Sequence, residues 1–394
     1  MVECCHWSRR SERAGSATIS QSRRPGRTAT HRVGSSRLRI APTPIRWYNL
    51  AFRIQTGLRG PWRRRPPMPV IDRRRFLTSA ALGVAAAGLA RPEHAAAAGS
   101  DLPAEAPGFY SFRLGEFRIA PVCDGVFHLP MNSIATNAEP AARKAYFDAH
   151  YMTADIFQLQ ANPLLVGSAE KLVLIDTGVG PAQDWAPTAG RLAKSLQDAG
   201  VAPADIDVIV LTHCHGDHVG GLEAAVSEGF SKAEVVLSET ELDLWNSPDA
   251  ASKVPDWAAP GVPALQKTFA ALGDRLRPVK GGSEIVTGVM ALDTPGHTPG
   301  HMSVLVASGG VTMLVTGDAL ANIHFAFDHP DWQMIWDHDR ELGVKTRKSL
   351  LDRATHDRLL VTGYHYPFPG VGHVVKEGDG FRWLPAEWVW DRET

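Results

Sequence analysis

Short apolar runs rich in Val, Ile and Leu recur along the chain, and several of them stop abruptly on Asp or His. Strand-like runs read FRIAPV (117–122), KLVLIDTG (171–178), IDVIVLTH (206–213), AEVVLS (233–238), VMALDTPG (289–296), MSVLVAS (302–308), VTMLVTGD (311–318) and RLLVTGYH (358–365). Helical patterns occur at 187–199, 239–246, 262–272 and 339–355, the first beginning at a Pro-Thr pair and ending before Gly200. Gly309-Gly310 between two apolar runs predicts a hairpin. Strands and helices alternate loosely, which predicts an α/β fold of two mixed sheets with helices outside, in one domain of about 290 residues. The polar endings are the organising feature: LIDTG, VLTHCHGDH, LDTPGH, LVTGD and VTGYH each deliver an Asp or a His. Layered α/β folds collect their active sites at such strand ends.

Composition changes the picture at the N-terminus. The chain of 394 residues is 44% hydrophobic and 21% charged, with a formal net charge of −1. That near-neutrality hides two kinds of sequence. Residues 1–67 hold 15 Arg, no Lys and only Glu3 and Glu12, which leaves 26 basic and 40 acidic residues for 68–394. The segment 1–67 has no periodicity and is read as an upstream extension or disordered leader before a true start at Met68; a nucleic-acid-binding arm is the alternative. From Met68, the stretch RRRFL (73–77) resembles the twin-arginine export motif. A dozen small apolar residues (79–90) and an Ala-rich stretch follow. The apolar run is too short to span a membrane. The expectation is a signal peptide over 68–98, the twin-arginine export machinery as partner, a periplasmic or secreted location, and a hydrolase domain over 99–394. That domain carries about 22 basic and 38 acidic residues, so it would repel polyanions, and nucleic acid is not expected as a partner.

Beyond the leader only Cys123 and Cys214 remain, too few for a disulfide framework, and both are read as buried small residues. The chemistry concentrates at HCHGDH (213–218). His213 and His215 are two apart at the end of an extended run and are expected to point to one side, suited to one metal ion. After Gly216 the backbone turns, leaving Asp217 and His218 for a second ion. Gly220-Gly221 is expected to open the following helix without crowding the site. Any one of these histidines alone would read as a surface or core residue; the four side chains together read as ligands.

At this point the chain resembles the metallo-β-lactamase superfamily, whose signature is His-x-His-x-Asp-His, and it does so from about residue 108 to 385 with the elements in family order. The resemblance implies an αββα sandwich. It implies one metal held by His213, His215 and His297, and a second held by Asp217, His218 and His365. Asp318 would be shared, and Asp217 and Asp318 would be the catalytic carboxylates. Asp176 matches the buried aspartate that braces the histidine loop, and His301 is given a supporting role rather than a ligand role. His324, His329, His338 and His373 match no ligand. Imidazole and carboxylate suit two Zn²⁺, with Fe, Mn or Co as alternatives. Two such ions lower the pKa of a water they bind to about 7, so no serine or cysteine nucleophile is needed, and GxSxG is absent.

Within the superfamily, YHYPFPGVGH and SETELDLWNSPD look most like the methyl parathion hydrolase group, which has a dizinc centre and hydrolyses aryl phosphotriesters. The expected substrate is therefore a small uncharged phosphotriester, aryl ester or lactone. Phe325, Phe327, Trp332, Trp336 and Phe368 either line an apolar mouth for it or are ordinary core. Acyl-homoserine lactonases are the near rivals, although many place a tyrosine where this chain has Ala321. A β-lactamase is a further alternative. Glyoxalase II lacks support because no basic C-terminal glutathione-binding segment is evident, and persulfide dioxygenases use fewer ligands. A metal-binding module without turnover is the reading from another class. No stable membrane span is expected, and a homodimer is left open.

Overall fold

The computed structural model describes residues 106–389 apart from 154 and 182, so the leader 1–67 and the export segment 68–98 lie outside the described residues. Strands β1 (Phe112–Leu114), β2 (Phe117–Pro121), β5 (Leu164–Gly167), β6 (Leu172–Ile175), β7 (Val208–Val210), β8 (Glu234–Ser238) and β9 (Leu276–Val279) form one sheet in the order β1-β2-β5-β6-β7-β8-β9. A second sheet runs in chain order from β10 (Glu284–Val286) through β11 (Val289–Asp293), β12 (Met302–Ser308), β13 (Val311–Val315), β14 (Leu360–Thr362) and β15 (Val371–Glu377) to β16 (Gly380–Pro385). A separate hairpin pairs β3 (Gly125–Pro130) with β4 (Ile156–Ala161). Pairing is parallel from β6 to β9 and between β13 and β14, and antiparallel elsewhere in both sheets.

Period-2 side-chain alternation explains why these strands are apolar at nearly every position. Val173, Ile175, Val208, Val210 and Val236 face inward and pack with Val289, Val304, Val306, Met313 and Val315 of the second sheet. The intervening Leu174, Ile209, Val235 and Leu237 face outward, against Leu196, Leu222, Trp245, Leu265 and Phe269 of the covering helices. On the other side, Leu314, Val361 and Val374 pack under Leu350, Leu351 and Ala354. The result is the expected αββα sandwich. Each fully buried Val, Leu or Ile contributes about 1.5–3 kcal/mol. Exposed ion pairs such as Lys144–Asp148 contribute about 0.5 kcal/mol or less, so the three apolar layers dominate stability.

Helix Val262–Leu272 spans the range its pattern predicts, and Arg340–His356 is displaced by one residue. The helix expected at 187–199 forms only over Leu192–Asp198. Buried Asp124 is the reason, because its carboxylate accepts hydrogen bonds from the amides of Val179 (2.8 Å), Gly190 (3.2 Å) and Leu192 (2.7 Å) and holds residues 190–192 in a turn. Helix Gly216–Glu228 starts inside the histidine motif, four residues before the glycine pair expected to open it. Gly220 and Gly221 serve instead as a contact surface: a Cβ at either would strike the carbonyl of Val179 or Thr177. Among the described residues no helix is long and apolar enough to cross a membrane.

Candidate metal centre

The parallel pairing of β6 with β7 sets their C-terminal ends side by side, and Asp176 ties them together. Asp176 leaves β6 with a left-handed backbone (φ 61°), which aims its carboxylate across to the neighbouring strand end. The carboxylate accepts from Thr212 N (2.8 Å) and Thr212 Oγ1 (2.9 Å), and lies 2.8 Å from His218 Nδ1. Thr177 donates through N (2.7 Å) and Oγ1 (2.9 Å) to the carbonyl of His218. The histidine turn is thus fixed by polar contacts from the adjacent strand. β7 itself ends at Val210, so His213 and His215 sit on an irregular turn rather than on the extended run expected.

The turn meets three loops of the second sheet, after β11, β13 and β14. His213, His215 and His297 converge, with His297 Nε2 at 3.2 Å from His213 Nε2 and 2.9 Å from His215 Nδ1. Asp217, His218 and His365 form a second convergent trio, with Asp217 Oδ2 at 3.4 Å from His218 Nε2 and 3.5 Å from His365 Nε2. Asp318 touches both trios: Oδ2 lies 3.4 Å from His297 Nε2 and 3.1 Å from His365 Nε2, and Oδ1 lies 3.2 Å from His218 Nε2. All seven side chains are largely buried, and Asp217, at 15% exposure, is the most open.

The residues fit divalent cations. His218 Nε2 and Asp318 Oδ1 are enclosed and, beyond the close contacts among the ligands themselves, have no hydrogen-bond partner. An unsatisfied buried polar atom costs about 1–3 kcal/mol, which a cation ligated by both would relieve. Burial, reinforced by His218, His215 and His297, holds His213 well below the ordinary imidazole range, and burial and His297 do the same to His215. Both are therefore neutral, with lone pairs to offer. Burial acts in the same direction on His218, but Asp318, Asp217 and Asp176 outweigh it and raise that histidine well above its ordinary value. The second trio therefore favours positive charge, as a cation-holding group must.

The far nitrogens are also anchored. His297 Nδ1 meets Asp337 Oδ1 at 3.0 Å, His365 Nδ1 donates to the Gln160 carbonyl (2.6 Å), and Thr212 Oγ1 lies 3.1 Å from His213 Nδ1. His301 joins neither trio. Its Nε2 accepts from the Asp318 amide (3.0 Å) while Nδ1 meets Thr294 Oγ1 (2.8 Å), and burial pushes its pKa down to about 3. His338 donates its amide to the His297 carbonyl, His329 stacks on Trp332, His324 faces His150, and His373 Nδ1 meets the Leu359 carbonyl. Sequence reasoning missed Asp337, which carries no motif, and Tyr364, whose hydroxyl donates to the Asp217 carbonyl (2.6 Å) while its ring lies on His218.

Of the two readings left open for the five aromatics, mouth or ordinary core, burial favours core for four. Phe325 and Phe327 are fully buried, and Trp332 and Trp336 are 8% exposed; all four pack in the outer core beneath the second sheet. All four follow the Asp318 loop in sequence, and the short helix Phe325–Asp328 turns Phe325 and Phe327 inward. Phe368 is only partly exposed and donates its amide to Gln160 Oε1 (2.7 Å). Two other aromatics stand at the site. Trp257, 55% exposed, meets the His215 ring at 4.8 Å. Trp185, 46% exposed, lies edge-on to Phe127, which in turn contacts His365. An open cleft of about 750 Å³ runs between Lys253–Pro255 and 333–341 and includes Asp337 and His338.

The sequence of residues 156–380 matches the model of the metallo-beta-lactamase superfamily. Metallo-beta-lactamase domain-containing protein 1 of Xenopus laevis is 31% identical over 220 residues, covering 56% of this chain and 76% of that protein. Among solved structures, AidC, a dizinc quorum-quenching lactonase in complex with the product N-hexnoyl-L-homoserine, superimposes with a TM-score of 0.66 at 29% identity, covering 72% of this chain and 98% of its own. Hydrolase AbOPH of the beta lactamase superfamily gives a TM-score of 0.66 at 26% identity, covering 72% of this chain and 99% of its own. With more than half of its length matched by the family model, and with the sandwich and the His-x-His-x-Asp-His turn in place, the chain belongs to the metallo-β-lactamase superfamily.

Proposed function

We propose that this protein is a dinuclear metal-dependent hydrolase, zinc being the natural choice, that cleaves an uncharged ester-like bond, with lactones as its foremost substrates. The observation that carries this reading is the pair of buried ligand trios sharing Asp318. His213, His215 and His297 would hold one ion, Asp217, His218 and His365 the other. When bound, such ions supply Lewis acidity and a water of lowered pKa. The chain's own part is positioning. Asp176, Asp337 and the Gln160 carbonyl engage the far ring nitrogens of three ligands, which fixes ring orientation. Trp257 and Trp185 offer apolar lips for an acyl or aryl arm. Cys214 is no nucleophile: it sits in the core under the first sheet, and burial holds its thiol well above the usual range.

The likeness to the lactonase AidC favours lactones over the aryl phosphotriesters that the YHYPFPG and SETELDLW stretches suggest. Zinc-loaded protein assayed against lactone, aryl ester, phosphotriester and β-lactam panels decides between them. Trp257→Ala should raise KM for long-chain N-acyl lactones about tenfold and leave short-chain lactones nearly unchanged, as expected for one lost apolar contact. Turnover of β-lactams or thioesters alone would overturn the substrate assignment. We further propose that the enzyme works outside the cytoplasm, because RRRFL and the following apolar run resemble a twin-arginine export signal. Replacing Arg73-Arg74 by Lys-Lys should leave precursor in the cytoplasm; an unchanged periplasmic level would contradict this.

A further inference from the structure

The seven ligands come from segments that follow strands of two different sheets, so their mutual spacing depends on whatever joins those segments. Glu241, within helix Glu239–Trp245, is fully buried and stands between them. Its Oε1 accepts from the Cys214 amide (3.0 Å) and from Trp245 Nε1 (2.7 Å). Its Oε2 accepts from Thr298 Oγ1 (2.7 Å) and from the Gly300 amide (3.1 Å). Cys214 lies between His213 and His215, and Thr298 directly follows His297. One carboxylate therefore grips both loops that build the three-histidine trio. The helix backbone seats directly on the second loop, where a Cβ at Gly300 would lie 2.6 Å from Glu241 Cα. Trp245, oriented by the same carboxylate, presents its ring edge-on to His215 at 6.2 Å.

Burying a carboxylate is costly unless its hydrogen bonds are made, and an apolar residue would fill this volume more cheaply. Four donors on two oxygens also demand a group that only accepts; a glutamine amide would set its own N–H groups against two of them. We propose that Glu241 is a positioning residue that sets the distance between the His213–His215 turn and His297, and with it the affinity of that trio for its ion. This rests on the reading that the two trios hold metal.

The test is zinc stoichiometry and affinity, measured by competition with a chromogenic chelator on the full folded chain. Wild type should hold two ions; if it holds none, the metal reading itself fails. In a His365→Ala background, which cripples the second trio, Glu241→Gln should weaken zinc binding about 10- to 100-fold, the range for lost support of a ligand. In a His297→Ala background, where only the second trio is complete, the same substitution should change affinity less than about twofold. Should the glutamine chain fail to fold, Thr298→Val removes one of the four hydrogen bonds and should reproduce the asymmetry at several-fold. Equal losses in both backgrounds would show a general packing role and overturn the proposal, as would no loss in either.

Discussion

Asp318→Ala should leave a folded protein that cleaves its substrate on the order of a thousandfold more slowly, a loss of about 4 kcal/mol of transition-state stabilisation. The substituted residue lies in the turn after β13, and its carboxylate reaches both trios through three contacts of 3.1–3.4 Å to His218, His297 and His365. Burial alone would raise its pKa, yet His365, His218 and His297 hold it well below the usual carboxylate range, so it is an anion at any pH of interest. Removing that charge leaves imidazoles facing one another without a shared counter-charge, and cations brought together there would repel. Asp318→Asn keeps the shape and one oxygen but not the charge, and it should fall between alanine and wild type. Metal per chain, read beside kcat/KM, separates the causes: lost occupancy explains lost rate. Retention of both ions and most activity by the alanine variant would remove Asp318 from the centre.

Asp337→Ala should cost about 3–5 kcal/mol of stability, the usual result of stripping the partner from a buried charge. Asp337 and Arg347 are both 1% exposed and 3.3 Å apart. Arg347 also donates to the carbonyls of Pro330 (3.0 Å) and Trp332 (2.7 Å), so it cannot swing out to water without dismantling the 330–337 loop. A fall in Tm of about 10 °C follows from that magnitude. The other carboxylate oxygen holds His297 Nδ1, so zinc affinity should fall as well. Pairing Asp337→Leu with Arg347→Met should recover much of the stability and none of the zinc affinity, because it removes the stranded charge without restoring the contact to His297. A single alanine variant that melts with wild type would contradict the buried pair.

The strands with continuous Val and Ile runs were legible because both of their faces are buried, and their Asp and His endings stand at the centre. The β3–β4 hairpin was not read, although Phe157, Leu159 and Ala161 alternate with Gln158 and Gln160, because its partner strand carries Gly, His and two prolines nearby and resembles a loop. Asp124 was missed for a different reason: its effect on residues 190–192 crosses some 65 positions of sequence, and no local pattern encodes it. Mouth and core stay undecided for the aromatics at the level of sequence, since closeness to Asp318 in sequence says nothing of which way Phe325 and Phe327 turn. Glu241 left a faint trace, an acid four residues before Trp245 on one helical face, but its partners Cys214 and Thr298 lie 27 and 57 residues away.

Each sheet is drawn from one contiguous half of the chain, the first ending at Val279 and the second beginning at Glu284. Each trio takes two ligands from the first half and one from the second. Neither half alone owns a complete set, so the centre belongs to the seam between them. Prying the halves apart would therefore break up both trios, so a cation held by either would favour the folded chain by mass action. Chelation is therefore expected to lower the stability of the folded chain, read as a drop in Tm.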